Sequence, residues 1–142
     1  NADAKGSVIA SMINAYLLSH PEATMVENFG VQGYFSMMSH VAAMVGNSSS
    51  GLIEAPSFGL PVVNIGSRQG GRTRGMNVID VGYDSKELRS AIEKAISPSF
   101  RKEVGDAQNP YGDGRASEKI LTVLRDVTLG DALISKVFHD LP

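Results

Sequence analysis

The chain has 142 residues, of which 42% are hydrophobic, so its length and composition suit one ordinary domain with a core of its own. With 13 basic and 15 acidic residues the net charge is −2, which argues against a nucleic-acid-binding surface. There is no cysteine, which excludes disulfides and a thiol nucleophile, and no apolar stretch approaches the roughly 18 residues of a membrane span, so a cytoplasmic protein is expected.

Helical and strand-like patterns alternate along the chain. Helices are predicted over residues 7–18, 33–40, 52–58, Ser85–Ile96, 99–104, 117–127 and 131–138, and strands over 24–29, 43–45, 61–65 and 77–81. Ser85 is the predicted N-cap of its helix. The first residues, NADAKG, are typical of the turn after a strand, so upstream sequence is expected.

This alternation predicts an α/β fold with a doubly wound, Rossmann-like and mostly parallel sheet. Its strands are short continuous apolar runs, as expected when both sheet faces are covered. Only four strands are predicted, which indicates that the first strands of the sheet are missing from this chain. In the strand order 3-2-1-4-5-6, residues 24–29 would form an outer strand.

The most informative segment is the serine turn, residues 46–51, with the sequence GNSSSG. It lies between a predicted strand and a predicted helix, and a helix N-terminus offers unpaired N–H groups and partial positive charge to a phosphate. The hydroxyls of Ser48, Ser49 and Ser50 can donate further hydrogen bonds. Glu54, about one helical turn further on, could accept hydrogen bonds from a ribose diol. The segment therefore predicts a site for a nucleotide diphosphate.

Helix capping is the alternative interpretation of the three serines, because serine is a preferred N-cap residue. One serine is enough for a cap, and a cap does not need Glu54, so the nucleotide site is favoured. Residues 47–49 also form a glycosylation sequon, but nothing indicates secretion, so glycosylation is not expected.

A second polar segment, the arginine loop, comprises residues 67–75 with the sequence SRQGGRTRG. If the flanking strands are parallel, this loop lies at the same sheet edge as the serine turn. Arg68 could contact a phosphate through two nitrogens, although a solvated, flexible loop fits the three arginines equally well. Beside the serine turn, ligand contact is favoured for Arg68 and less so for Arg72 and Arg74.

The rest of the chain offers little catalytic chemistry. Residues 109–116 are interpreted as a turn with a helix cap. His20, His40 and His139 share no ligand spacing, so no metal site is predicted, and no cofactor is expected. The sequence contains no evident nucleophile with a base and no convincing pair of acid and base carboxylates, so no catalytic residue is assigned in this chain.

Three segments together resemble the hydrolysing UDP-N-acetylglucosamine 2-epimerases. The longest is residues 46–69, which contains the serine turn, Glu54 and Arg68. Residues 1–4 and 109–114 are similar to two further motifs of that family, in the same order. The resemblance covers residues 1 to about 127, whereas the tail over 128–142 carries little of it.

The resemblance implies a GT-B architecture, in which two Rossmann-like domains hold a UDP-sugar in the cleft between them. The chain, residues 1–142, would be a partial C-terminal, UDP-binding domain. Its expected partners are UDP and UDP-GlcNAc, an upstream N-terminal Rossmann-like domain of the same protein, and further copies in a homo-oligomer. Neither nucleic acid nor membrane is expected as a partner.

The resemblance also implies roles for individual residues. Ser48 and Ser49 would bind the diphosphate, and Glu54 would bind the ribose hydroxyls. Arg68 would lie beside the nucleotide, Asn1 matches a family asparagine near it, and the backbone around Phe29 would face uracil. The predicted substrate-binding residues are Asn1, Phe29, Ser48, Ser49, Ser50, Glu54 and Arg68.

The implied reaction eliminates UDP from UDP-GlcNAc with loss of the C2 proton, and water then adds to the glycal to release N-acetylmannosamine, as in amino-sugar and sialic acid biosynthesis. The acid and base carboxylates and a histidine would lie upstream, so the isolated chain is expected to be inactive. Non-hydrolysing epimerases return UDP to the glycal and usually carry Ser-Gly-Gly followed by an acidic pair. The run Ser48-Ser49-Ser50-Gly51 with Glu54 alone resembles the hydrolysing group more closely.

Alternative interpretations remain open. The enzyme could be a non-hydrolysing epimerase, or a hydrolysing epimerase for another UDP-2-acetamido sugar. A GT-B glycosyltransferase would share the fold but would not predict the serine turn. Of a different class altogether is a nucleotide-binding regulatory module without catalysis.

Overall fold

The computed structural model describes residues 6–135. The chain divides after Met37 into two compact units, each described here by itself. The first unit contains α1 (Gly6–Ser19) and most of α2 (Gly30–His40). The second unit contains β1 (Met44–Gly46), α3 (Ser50–Ile53), a 3-10 helix (Ala55–Phe58), β2 (Val62–Ile65), β3 (Val78–Val81), α4 (Ser85–Ile96), α5 (Pro98–Gly105), α6 (Ala116–Asp126) and α7 (Asp131–Ile134).

The three strands form one parallel sheet in the order β1-β2-β3. The register places Gly46 beside Asn64 and Asn64 beside Asp80, so the carboxyl ends of all three strands lie at one edge. Strands alternating with helices around a parallel sheet confirm the predicted α/β, Rossmann-like fold class.

Helix α4 covers one face of this sheet. Its Ala91 and Ala95 form a buried cluster with Val63 and Val81, and Leu88 and other partly buried side chains pack against that cluster. Side chains on a strand alternate between faces, so the residues of β2 next to Val63 point to the opposite side. Small alanines on α4 let the helix approach the valines closely, and this packing forms much of the second unit's core.

Helix α3 packs against the opposite face of the sheet, and the predicted nucleotide site lies at its N-terminus. Leu52 is fully buried, and a Cβ atom added to Gly51 would lie 2.7 Å from Cγ1 of Val62. The sheet and the first turn of α3 are therefore in van der Waals contact at Gly51. The contact between Gly51 and Val62 therefore restricts the position of the serine turn relative to β2.

The predicted strand over residues 24–29 is wrong. The sheet of the described part of the chain has three strands, and this segment is not one of them. Met25, Val26 and Phe29 are all substantially exposed. An apolar pattern indicates a tendency to be extended, but a strand also needs a neighbour that completes its hydrogen bonds.

Two helix predictions need correction in detail. The helix predicted over 52–58 is α3 followed by a separate 3-10 helix, because Pro56 has no N–H to continue the α-helical ladder. The N-cap of α4 is Asp84 and not Ser85: its carboxylate accepts hydrogen bonds from the N–H groups of Lys86 and Glu87. The predicted helix over 131–138 is observed only as α7, and residues 136–138 lie outside the described residues.

Candidate functional site

The serine turn links β1 directly to α3. Ser49 occupies the N-cap position of α3 but makes no capping hydrogen bond with its side chain. Within the serine turn, the hydroxyl of Ser48 accepts a 3.3 Å hydrogen bond from the N–H of Ser50. Among the described residues, the hydroxyls of Ser49 and Ser50 make no hydrogen bond. Capping therefore does not account for the run of three serines.

Glu54 follows the last residue of α3, and its N–H donates to the carbonyl of Ser50 at 3.0 Å. Its carboxylate oxygen Oε2 is buried and has no hydrogen-bond partner among residues 6–135. A buried carboxylate oxygen without a donor is costly, because it has lost its water without compensation.

The arginine loop contacts the serine turn, as expected for two loops at the same edge of a parallel sheet. The side chain of Gln69 is almost fully buried, and its Nε2 donates to the carbonyl of Asn47 at 2.7 Å. This contact joins two loops that are separated by 22 residues in the sequence. Sequence reasoning missed Gln69, because an amide side chain in an arginine-rich loop gives no signal of burial.

Arg74 has a structural role within this loop. Its Nε lies 3.0 Å from Oδ2 of Asp80 and its Nη2 lies 3.2 Å from Oδ1, a two-point ion pair. Nη1 donates to the carbonyls of Gln69 at 2.7 Å and Arg72 at 2.6 Å. These bonds occupy the guanidinium, which agrees with the lower expectation of ligand contact for Arg74.

The Arg74 pair also sets the charge state of Asp80. The hydrogen bond from Arg74 is the largest influence and lowers the pKa of this carboxyl. Partial burial raises the pKa by less than that, and a 2.6 Å hydrogen bond from Asn64 lowers it further. A lowered folded-state pKa means that the pair stabilises the fold above the ordinary carboxyl pKa of about 4. That contribution is lost as the pH falls through the lowered value.

Arg68 and Arg72 are exposed, and neither side chain makes a hydrogen bond or ion pair with the described residues. Arg68 comes two residues after Gly66, where the chain leaves β2, and directly before the buried Gln69. Its guanidinium is therefore available at the sheet edge that carries the serine turn. This placement suits the predicted contact with a phosphate.

Residues 109–111 form hydrogen bonds with α3, the 3-10 helix and the arginine loop. Nδ2 of Asn109 donates to the carbonyl of Ile53 at 2.9 Å and to Oγ of Ser57 at 2.7 Å, and the hydroxyl of Tyr111 donates to the carbonyl of Thr73 at 3.0 Å. The predicted turn is present, but the N-cap position of α6, Arg115, makes no side-chain capping bond. Its hydrogen bonds therefore stabilise the positions of α3, the 3-10 helix and the arginine loop.

Asn77 is a further residue that the sequence did not single out. It is almost completely buried, and its Nδ2 donates to the carbonyls of Gly51 and Leu60, both at 3.1 Å. The first of these bonds holds the start of α3, and the second holds Leu60, two residues before β2. Asn77 thereby fixes the first turn of α3 against the sheet.

Two of the predicted residues, Phe29 and Asn1, do not belong to the second unit. Phe29 belongs to the first unit, where it is 43% exposed and lines a shallow hollow of about 500 Å³ with Asn28, Gly30 and Tyr34. Asn1 lies outside the described residues. Within residues 6–135, no group of three or more histidine or carboxylate side chains is arranged to hold a metal ion, and no helix is long and apolar enough to cross a membrane.

Comparison with known proteins adds independent findings. The profile of the UDP-N-acetylglucosamine 2-epimerase family matches residues 1–125. A UDP-N,N'-diacetylbacillosamine 2-epimerase (hydrolyzing) from Legionella pneumophila is 35% identical over 96% of this chain and 35% of its own length. A GDP/UDP-N,N'-diacetylbacillosamine 2-epimerase (hydrolyzing) from Campylobacter jejuni is 40% identical over 99% of this chain and 36% of its own length.

A third similar protein is a UDP-N-acetylglucosamine 2-epimerase from Neisseria meningitidis, which is 35% identical over 76% of this chain and 28% of its own length. The chain spans about a third of the length of the curated relatives it matches.

Proposed function

Because the chain belongs to the UDP-N-acetylglucosamine 2-epimerase family, we propose that it is the UDP-binding part of a hydrolysing 2-epimerase that acts on UDP-GlcNAc. One observation carries the proposal: the serine turn leaves the hydroxyls of Ser49 and Ser50 without a hydrogen bond to the described residues, at the carboxyl edge of the parallel sheet and about one helical turn before the carboxylate of Glu54. A ribose and a diphosphate would satisfy both sets of groups.

In this proposal the chain recognises the leaving group of the reaction. Ser48, Ser49 and Ser50 with their backbone N–H groups hold the diphosphate, and Arg68 balances its charge. When the C1–O bond breaks, UDP departs with the bonding electrons and the C2 proton is removed, leaving a glycal to which water adds. Groups that bind the diphosphate more strongly as its charge grows lower the barrier to that step.

The groups that move protons are proposed to lie in another part of the full-length protein, an N-terminal Rossmann-like domain of a GT-B enzyme. The names of the Legionella and Campylobacter relatives support the hydrolysing outcome over the return of UDP to the glycal. The isolated chain is therefore expected to leave UDP-GlcNAc unchanged.

A second candidate substrate is UDP-N,N'-diacetylbacillosamine. The observation that favours it is that two relatives with this name match nearly the whole chain. Both substrates share UDP, so the residues described here do not distinguish them. Incubating the full-length protein with each sugar nucleotide and identifying the free 2-epimeric sugar and UDP decides between them, and release of neither would favour a regulatory nucleotide-binding module.

The role of Glu54 gives the proposal a direct test in the full-length protein. Glu54→Ala should weaken UDP binding by about tenfold to a hundredfold, since hydrogen bonds to a charged group contribute roughly 1.5–3 kcal/mol. Calorimetric titration measures the affinity, and Glu103→Ala, an exposed carboxylate on α5, is the matched control.

The identity of the ligand group follows from a second titration. If Glu54 binds the ribose diol, the native protein should prefer UDP over 2′-deoxy-UDP, and Glu54→Ala should lose most of that preference. Equal UDP affinity in Glu54→Ala and the native protein would contradict the proposed site.

A further inference from the structure

Gln69 and Arg74 form a continuous chain of contacts from the sheet to the serine turn. We propose that these two side chains are positioning residues, which hold the serine turn and the arginine loop in one fixed arrangement without touching the ligand themselves. The proposal rests on the proposed function in naming UDP as the ligand that this arrangement serves.

The chain of contacts begins in the sheet. Asp80 is the register partner of Asn64, and the amide of Asn64 donates to its Oδ1 at 2.6 Å. Two donors of Arg74 reach the same carboxylate at 3.0 and 3.2 Å. Such paired, charge-assisted hydrogen bonds fix the orientation of a guanidinium more strictly than a single bond would.

From Arg74 the series of hydrogen bonds continues into the arginine loop. Nη1 donates to the carbonyl of Gln69, which places the backbone of that residue, and the side chain of Gln69 then reaches the carbonyl of Asn47. Asn47 is the residue directly before Ser48. Every link from Asp80 to the serine turn is thus a hydrogen bond of 3.2 Å or less.

The consequence for binding is geometric. Arg68 precedes Gln69 directly, and the three serines follow Asn47 directly, so the contact between Gln69 and Asn47 sets the distance between the two groups that would grip the diphosphate. The burial of Gln69, which is 3% exposed, restricts its side chain to this position. Binding to a site that is already arranged avoids the entropic cost of ordering two loops.

Gln69→Met and Arg74→Met test this series of hydrogen bonds in the full-length protein. Each replacement keeps the approximate length of the side chain and removes its donors, and each should lower the affinity for UDP by about threefold to tenfold. Because the two contacts act in series, the double variant should bind about as well as the weaker single variant. Arg101→Met, which removes an exposed arginine on α5, should bind UDP like the native protein.

A role in stability alone predicts a different result. In that case the variants would unfold at lower temperature but bind UDP normally once folded, and this outcome would overturn the proposal. Losses that multiply in the double variant would also overturn it, since independent residues contribute additively in free energy. Gln69→Glu keeps the size of Gln69 but places a carboxylate against the carbonyl oxygen of Asn47, so it should weaken UDP binding at least as much as Gln69→Met.

Amide hydrogen exchange without ligand separates this inference from the proposed function. Arg74→Met should speed exchange in residues 47–54, to which Arg74 makes no hydrogen bond in the described structure, as well as in its own loop. Unchanged exchange in residues 47–54 would overturn the inference, whatever the affinity for UDP. Failure of the native protein to bind UDP would instead overturn the proposed function, and exchange would still decide whether Gln69 and Arg74 couple the two loops.

Discussion

At the scale of single residues, buried amide side chains arrange the polar loops. Asn64, Gln69 and Asn77 are each at most 3% exposed, and each donates through its amide nitrogen to a group on another segment. The oxygen of each amide has no partner among the described residues. Amides suit this role because they donate two hydrogen bonds without bringing a charge into the interior.

Gly51 shows how little space the start of α3 leaves. An added methyl group would lie 2.7 Å from Cγ1 of Val62, a side chain held inside the sheet, so something must move to admit it. We expect Gly51→Ala to destabilise the protein by roughly 1–3 kcal/mol, the usual cost of overpacking. Denaturant unfolding monitored by circular dichroism measures the change.

Gly105→Ala is the matched control, because nothing lies within 4 Å of a Cβ at that position. Gly105 is the last residue of α5, where alanine is a better helix former than glycine by up to about 1 kcal/mol. The control should be neutral or slightly stabilising. Equal stability of Gly51→Ala and the native protein would show that α3 can move away from β2 at little cost.

At the scale of elements, local patterns in the sequence were enough to predict the parallel strands β1, β2 and β3 and helix α4. Each of these has a continuous apolar run or a helical repeat within a few residues. The predicted strand over 24–29 failed because pairing depends on a distant partner. The same limit explains why Gln69 and Asn77 were missed: the partner of Gln69 lies 22 residues away in the sequence, and those of Asn77 lie 26 and 17 residues away.

The order of strand, turn and helix around the serine turn was predicted correctly because the pattern is local. The order of strand, turn and helix, the three hydroxyls and Glu54 all lie within 11 residues, from Met44 to Glu54. The exact role of each arginine was not predictable in the same way. Arg74 has a structural role because it forms an ion pair with Asp80, which belongs to β3.

The corrected N-cap of α4 can be tested directly. Asp84→Ala should destabilise the protein by about 1 kcal/mol, because two N–H groups lose their acceptor and a negative charge is removed from the positive end of the helix. Ser85→Ala should have little effect, since Ser85 makes no capping bond. Thermal unfolding of both variants decides which residue is the cap, and a larger loss for Ser85→Ala would contradict the structure.

At the scale of the whole molecule, large apolar side chains remain exposed on two helices, one in each unit. Val8, Ile9 and Met12 on α1 are each more than half exposed, as are Ile120, Val123 and Leu124 on α6. Monomeric proteins rarely expose contiguous apolar patches of this kind. The 142 residues span about a third of the relatives, which agrees with surfaces that would be covered in a longer protein.

We therefore expect the isolated 142-residue chain to self-associate in solution, because apolar faces that residues 6–135 leave exposed lower their free energy by packing against each other. Sedimentation velocity over a series of protein concentrations should show mass rising with concentration. Replacing both Ile120 and Leu124 with glutamine should reduce the association, whereas Arg125→Gln on the same helix should not. A chain that stays monomeric at every concentration, with α6 folded by circular dichroism, would show that these exposed side chains are tolerated in water.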